Sequence, residues 1–230
     1  MCRENATRYQ EAAENHTGSR KLSSANYFNC ENLPIDTNLA DNVKVIDVYA
    51  PPPLHVTSGV FNDLFNALEQ TLLVYNSTMK ATDWSDTLSL TREGHYGGTA
   101  VFKGRQCQKM LKTENIGKLK SLLIQHNSDS YCEPFVKCFE ALHAVVESCM
   151  GMVQYPRYPS DIRAFAKCFF EARDHAGQIN TLKNLVGPQK IHVSVTLKTH
   201  EIFVHTRQYL ENQKDKNDVE FGSGFYSEQR

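Results

Sequence analysis

The sequence lacks any long apolar run. No stretch reaches the ~18 consecutive apolar residues that a membrane-spanning helix requires. The first sixteen residues, MCRENATRYQEAAENH, are polar and include acidic side chains. A signal peptide needs an apolar centre and a transit peptide is poor in acids. The sequence therefore predicts an intracellular protein with no membrane partner.

The sequence also lacks an excess of either charge. Its 25 basic and 26 acidic residues leave a formal net charge of -1. No overall basic field therefore attracts nucleic acid, and any such attraction must be local. The chain contains no glycine-rich phosphate loop, no GxSxG and no HExxH pattern. These absences leave no evident small-molecule substrate.

Paired cysteine motifs are missing as well. The seven cysteines are irregularly spaced and none forms a CxxC pair. Cys132, Cys138, Cys149 and Cys168 fall on the apolar faces of predicted helices. We interpret them as reduced core residues.

Hydrophobic spacing predicts a mainly α fold in three parts. Residues 1–42 are polar and partly flexible, residues 43–212 form a helical body, and residues 213–230 form a flexible tail. Helical stripes follow a cap at Thr57 or Ser58 and a second cap at Ser160. Further helices are predicted within GRQCQKMLKT, ENIGKLKSLLIQH and YCEPFVKCFEALHAVVESCMGM.

One or two short strands are also expected. VKVIDVY, residues 43–49, is a β-branched run that the following prolines must end. IHVSVTLK alternates like a strand, but we expect a helix from about 195 to 213. A lone strand has unpaired edges, which suggests a piece of a larger sheet. The aperiodic connection from 76 to 105 is either functional or contains small elements.

The densest basic stretch is VFKGRQCQKMLKTENIGKLK, in which Glu114 is the one acid. Such clustering suits phosphate binding, whereas a solvated helix face is the alternative. Its candidate DNA-binding residues are Lys103, Arg105, Lys109, Lys112, Lys118 and Lys120.

Two further candidates lie near the end of the sequence. His200 and His205 form an H-x4-H pair, which is either a metal pair or two surface histidines. Five residues on an α-helix turn through about 500°, so the two side chains share one ion only where the helix ends or distorts. Structural zinc needs four ligands, and two more are not obvious. Glu228 is a lone carboxylate.

Five segments occur in a fixed order along the chain: APPPLHVTSGVFNDLFNALEQ, VFKGRQCQKMLKTENIGKLKSLL, FVKCFEALHAVVESCM, LKTHEIFVHT and GSGFYSEQ. In this order they resemble the carboxyl-terminal half of Transib-like DDE transposases, a group that includes the catalytic subunit of V(D)J recombinase. The similarity covers nearly the whole chain. ENATRY and the polar loop after it also resemble the segment that follows this family's CxxC zinc motif.

The resemblance implies roles for particular residues. It implies an RNase H-like catalytic core whose third carboxylate is Glu228, and zinc histidines that match His200 and His205. The basic stretch matches a helical insertion that lies near DNA, with Lys109 and Lys112 as the best phosphate contacts. It implies DNA as a partner, a homodimer as one assembly, and a nucleus-located protein if the chain functions.

The departures from the family pattern imply a truncated core. The two catalytic aspartates and the CxxC would precede residue 1. One carboxylate of three does not hold a metal pair, so magnesium or manganese is expected only in a full-length parent and the zinc site is incomplete. We therefore expect a catalytically incomplete, transposon-derived fragment. The alternatives are a helical protein-interaction module and part of an active transposase encoded by a longer gene.

Overall fold

A computed structural model describes residues 53–94, 100–149 and 157–206. These residues are mainly helical, which confirms the predicted fold class. Residues Pro53–Val204 form one compact unit. The predicted polar segment 1–42 and tail 213–230 lie outside the described residues.

Seven α-helices follow one another through the described residues. The fifth, α5, packs against the first, the fourth and the sixth, so it forms the centre of the bundle. The helices are α1 Pro53–Val74, α2 Ala81–Asp86, α3 Gly104–Leu111, α4 Thr113–Gln125, α5 Asp129–Cys149, α6 Tyr158–Leu182 and α7 Leu197–His200. A 3₁₀ turn at Gly187–Gln189 precedes α7, and a π-helical segment, Glu201–Thr206, continues it.

Two predicted helix starts are wrong by a few residues. Helix α1 begins at Pro53 rather than after Thr57 or Ser58, and α6 begins at Tyr158 rather than after Ser160. Proline is well suited to the first turn of a helix, because its missing N–H has no intrahelical acceptor there. A proline that the sequence analysis interpreted as the end of a strand can therefore also begin a helix.

The strand predictions have separate outcomes. The segment 43–49 lies outside the described residues. Residues 191–196 form no helix or strand, and the chain becomes helical at Leu197, close to the predicted position. The connection between α1 and α3 contains α2 and one antiparallel bridge between Glu93 and Val101.

Asparagine ends three of the long helices. Asn76, Asn127 and Asn184 have φ between 51° and 52° and stand two residues beyond the ends of α1, α4 and α6. Asparagine tolerates this left-handed conformation better than most residues with a side chain. The next amide then donates back across each helix end, at 2.9 Å for Ser77 to Leu72, 2.7 Å for Ser128 to Leu123 and 2.9 Å for Leu185 to Asn180.

An aromatic cluster fills the core beneath α3 and α4. Its ring centroids lie 5.0 to 6.1 Å from their neighbours, a separation typical of favourable ring pairs. Trp84 also donates its indole N–H to the carbonyl oxygen of Asn115 at 2.8 Å, which ties α2 to α4. The members are Phe61, Phe65, Trp84, Phe102 and Phe139, all fully buried.

Candidate functional site

The chain that leads into the basic stretch is fixed by a buried asparagine on α1. Asn62 donates its amide nitrogen to the carbonyl oxygen of Phe102 at 2.9 Å and accepts the Phe102 amide at 2.9 Å. Phe102 immediately precedes Lys103, whose amide donates to the Gln106 side chain at 2.7 Å. Because these bonds hold the backbone just before α3, they set where the basic side chains emerge.

All six predicted basic residues are exposed on α3, α4 or the residue that precedes each helix. The apolar side of each helix faces inward, with Cys107, Met110 and Leu111 on α3 and Ile116, Leu119 and Leu123 on α4. The amphipathic spacing therefore directs the cations away from the core. We call the set Lys103, Arg105, Lys109, Lys112, Lys118 and Lys120 the basic segment.

Three members of the basic segment already have partners. Lys103 forms an ion pair with Glu93, and Lys120 forms one with Glu140. Lys109 donates its ammonium to the carbonyl oxygen of Leu88 at 2.9 Å. These three side chains have structural contacts that a phosphate would have to share or replace.

The other three members have no ion pair among the residues that the structure describes. Arg105, Lys112 and Lys118 are exposed, and Glu114 is the one acid in the same stretch. An exposed cation without a carboxylate partner keeps its full charge for a phosphate. Arg105 and Lys118 thus resemble Lys112 in having no described ion pair, whereas Lys109, which the family resemblance favoured together with Lys112, bonds the Leu88 carbonyl oxygen.

The H-x4-H pair lies where the helix changes its repeat. His200 ends α7, and the π-helical segment carries the backbone through position 205. The side chain of His205 is outside the description.

Glu201, at the start of the π-helical segment, is the one buried side chain in the described part of the chain with an unpartnered polar atom. The residue is 7% exposed, and its Oε2 has no hydrogen-bond partner. Burial raises the pKa of its carboxyl above the usual range, and the positive potential of His200 opposes that rise. A buried carboxyl without a partner destabilises the fold when ionised.

Lys198 packs across α1 at a glycine. A Cβ on Gly59 would lie 1.9 Å from Cδ of Lys198, so the lysine side chain occupies the space that glycine leaves open. Burial raises the pKa of the nearby Asp63 carboxyl, and Lys198 lowers it. The contact holds α7 against α1.

Candidate zinc ligands can be located among the described residues alone. Across residues 53–94, 100–149 and 157–206, no three His, Cys, Asp or Glu side chains converge as metal ligands. Structural zinc takes four ligands, so His200 and His205 would need partners from elsewhere. Glu228 lies outside the described residues.

Sequence reasoning missed the polar side chains that organise both regions. Asn62 looks like a polar interruption of the α1 stripe, and Asn180 looks like an ordinary surface residue of α6. Asn180 nevertheless exchanges two hydrogen bonds of 2.9 Å with the backbone of Ile191. Only the regular apolar spacing around Asn62 could have indicated that it faces inward.

Comparison of the chain with protein-family models, with curated proteins and with solved structures found no match. Within the described residues, no helix combines the length and apolar character needed to cross a membrane.

Proposed function

We propose that the chain is a transposon-derived fragment of a DDE-type DNA transposase that binds duplex DNA through its basic segment. In this proposal residues 1–230 perform no strand transfer by themselves, because metal-dependent chemistry needs two or three carboxylates and the resemblance matches one of them, Glu228. The ordered resemblance of five segments supports the origin. His200 and His205 would then be descendants of zinc ligands.

The observation that carries the DNA-binding proposal is the exposure of six cations on α3 and α4, three of which have no ion pair among the described residues. Duplex DNA is a dense row of phosphates, and each neutralised phosphate releases condensed counterions. The net charge of the chain is -1 and does not attract DNA. Local positive charge comes from Arg105, Lys112 and Lys118. The proposed contacts are to phosphates, so they confer affinity rather than sequence preference.

The test is the salt dependence of binding to a generic labelled duplex. The test variant is Arg105→Gln with Lys112→Gln and Lys118→Gln. The matched control is Arg163→Gln with Lys167→Gln and Arg173→Gln, which removes the same charge from exposed positions of α6. If all three test residues contact phosphates, the slope of log K against log salt falls by about 2.7. The control should keep the wild-type slope.

Two results would contradict the proposal. Equal slopes for the test and control variants would place DNA binding, if any, away from the basic segment. Metal-dependent nicking of DNA by the purified chain, lost in Glu228→Ala, would show a working active site and reject catalytic incompleteness.

A protein-interaction module is the second candidate, and exposed apolar side chains favour it. Leu73, Ile124, Leu182 and Val186 are 61% to 75% exposed. They lie at or just beyond the carboxyl-terminal ends of α1, α4 and α6. Contacts such as that of Lys183 with the Tyr75 ring hold these helix ends together. This candidate predicts no binding to DNA at low salt and self-association that weakens in Leu182→Ser with Val186→Ser.

A further inference from the structure

Helices α5 and α6 run antiparallel with a defined register. His175 on α6 bonds the carbonyl oxygen of Tyr131 on α5 at 2.8 Å. At the other end of the pair, Arg157 contacts Glu147 at 3.3 Å. Residue numbers therefore rise along α5 in the direction in which they fall along α6. These two helices form the most extensive helix pair in the bundle.

Two cysteines lie at corresponding levels of α5 and α6 in this register. Seven residues are close to two helical turns, so a step of seven keeps the same helix face. Starting from the Tyr131–His175 contact, that step reaches Cys138 on α5 and Cys168 on α6. Cys138 is fully buried and Cys168 is partly exposed, and both are free thiols.

The electrostatic surroundings of the two thiols agree with this register. Burial and then the neighbouring Cys168 raise the pKa of the Cys138 thiol well above its usual value. Burial also raises the pKa of Cys168. Glu171 and Glu140 act in the same direction, while Lys167 and Lys137 oppose them.

We propose that Cys138 and Cys168 form a redox-sensitive pair that closes a disulfide between α5 and α6 when the chain meets a low-molecular-weight disulfide. Cys168 is the entry thiol because it is the accessible member. Cys138 is the resolving thiol because it lies across the helix interface. The disulfide locks the largest helix pair of the fold.

The chemistry is two thiol–disulfide exchanges with oxidised glutathione. The Cys168 thiolate attacks one glutathione sulfur, which breaks the glutathione disulfide and releases one glutathione thiolate. The Cys138 thiolate then attacks Sγ of Cys168, forms the Sγ–Sγ bond and releases the second glutathione. The two protein protons end on the two glutathione thiols, so the pair is oxidised as glutathione is reduced.

The other two described free cysteines serve as internal controls. Burial raises the pKa of Cys107 and of Cys132 to about 12. Neither is exposed to solvent. Both should remain thiols under conditions that oxidise the pair. The reaction of the pair should accelerate as the pH rises, because only thiolates attack a disulfide.

The experiment treats the whole chain with oxidised glutathione, alkylates the remaining thiols, and maps linked peptides by mass spectrometry. Cleavage after both lysine and glutamate separates Cys138 from Cys149, because Glu140 and Glu147 lie between them. We expect one linked pair that joins the Cys138 and Cys168 peptides. The oxidised chain should also unfold at a higher temperature than the reduced chain, because the link restricts the unfolded state.

Variants separate the proposal from a chance cross-link. Cys168→Ser should abolish both the link and the thermal shift, and this half-buried position tolerates the change. Cys138→Ala should leave glutathione attached to Cys168 with no internal link. Glutathione on Cys168 of the wild-type chain without the link, or linkage of Cys168 to another cysteine, would overturn the proposal.

Discussion

The basic segment and the segment 197–206 are anchored in the same way but lie in different environments. In each case an asparagine on a long helix exchanges two hydrogen bonds of 2.9 Å with the backbone shortly before the segment. Asn62 is buried beneath the basic segment, whereas Asn180 is only partly buried before 197–206. The first segment keeps its charges at the surface. The second buries Glu201 and packs Lys198 against α1.

This difference separates residues that maintain the packing of the fold from residues that supply charge at its surface. Exposed cations on a well-anchored helix can be changed with little effect on the fold, so a lost activity there reports function. Residues of 197–206 are part of the packing, so a change there alters the fold and any bound ion together. Four predictions test this division, from the largest expected effect to the smallest.

The two asparagine anchors should differ in energy. Asn62→Ala leaves the buried N–H of Phe102 unpaired and its C=O with only the Cys107 thiol as a donor at 3.4 Å, which should lower the free energy of unfolding by about 3 kcal/mol. Asn180→Ala frees backbone groups of the buried Ile191, but it shortens a partly exposed side chain and so lets water in to those groups, and its expected cost is about 1 kcal/mol. Urea denaturation of both variants measures the difference. Equal losses would mean that burial does not distinguish the anchors.

The Gly59–Lys198 contact should make two substitutions non-additive. Alanine at an interior helix position is about 1 kcal/mol more stable than glycine. In the wild-type chain Gly59→Ala must displace the Lys198 side chain, which occupies the Cβ position. In a Lys198→Ala background the full gain should appear. A double-mutant cycle measures this coupling. Simple additivity would mean that the Lys198 side chain does not occupy the space at Gly59 in solution.

Glu201→Gln should change how stability depends on pH. Burial raises the pKa of Glu201 in the folded chain. An acid with a raised folded pKa favours the fold as it takes up a proton, so the free energy of unfolding rises as the pH falls through that pKa. Glutamine removes this dependence, and the variant should be more stable than wild type at pH 7.

Part of the pH dependence should survive that substitution. Burial also raises the pKa of Asp63, so a smaller rise in stability on acidification should remain in Glu201→Gln. Unfolding curves from pH 7 down to pH 4 compare the two proteins. A Glu201→Gln variant that is less stable than wild type at pH 7 would mean that the carboxylate has a stabilising partner in solution.

Neutralising the unpaired cations should barely affect stability. Arg105→Gln, Lys112→Gln and Lys118→Gln each remove an exposed charge without a described ion-pair partner, so each should change the free energy of unfolding by less than about 0.5 kcal/mol. Lys120→Gln also breaks its ion pair with Glu140. Exposed ion pairs contribute at most about 1 kcal/mol, so its loss should be slightly larger. A large loss at Lys118 would show a structural role.

Apolar spacing predicted most of the fold because it is local. The helical stripes of α1, α4, α5 and α6 repeat along the sequence, and the breaks at proline and asparagine lie between them. The short helix α2 escaped prediction because six residues hold too few turns for a period. The start of α1 was missed because a proline that ends one element can also begin the next.

The candidate sites were predicted only in part because their surroundings are not local. Charge density indicated the basic segment, but the pairing of Lys103 with Glu93 and of Lys109 with Leu88 depends on the chain between α1 and α3. The H-x4-H spacing set a helix end or distortion as a condition for metal binding, and the metal pair stays a prediction. Nothing in the sequence distinguishes Glu201 from an exposed glutamate.

The most direct test of DNA binding by the basic segment is the salt slope of duplex affinity. We would measure it for the wild-type chain, for Arg105→Gln with Lys112→Gln and Lys118→Gln, and for the α6 control. DNA binding through the basic segment predicts steep salt dependence in wild type and control and a slope reduced by about 2.7 in the test variant. No binding at low salt, or three equal slopes, would contradict it.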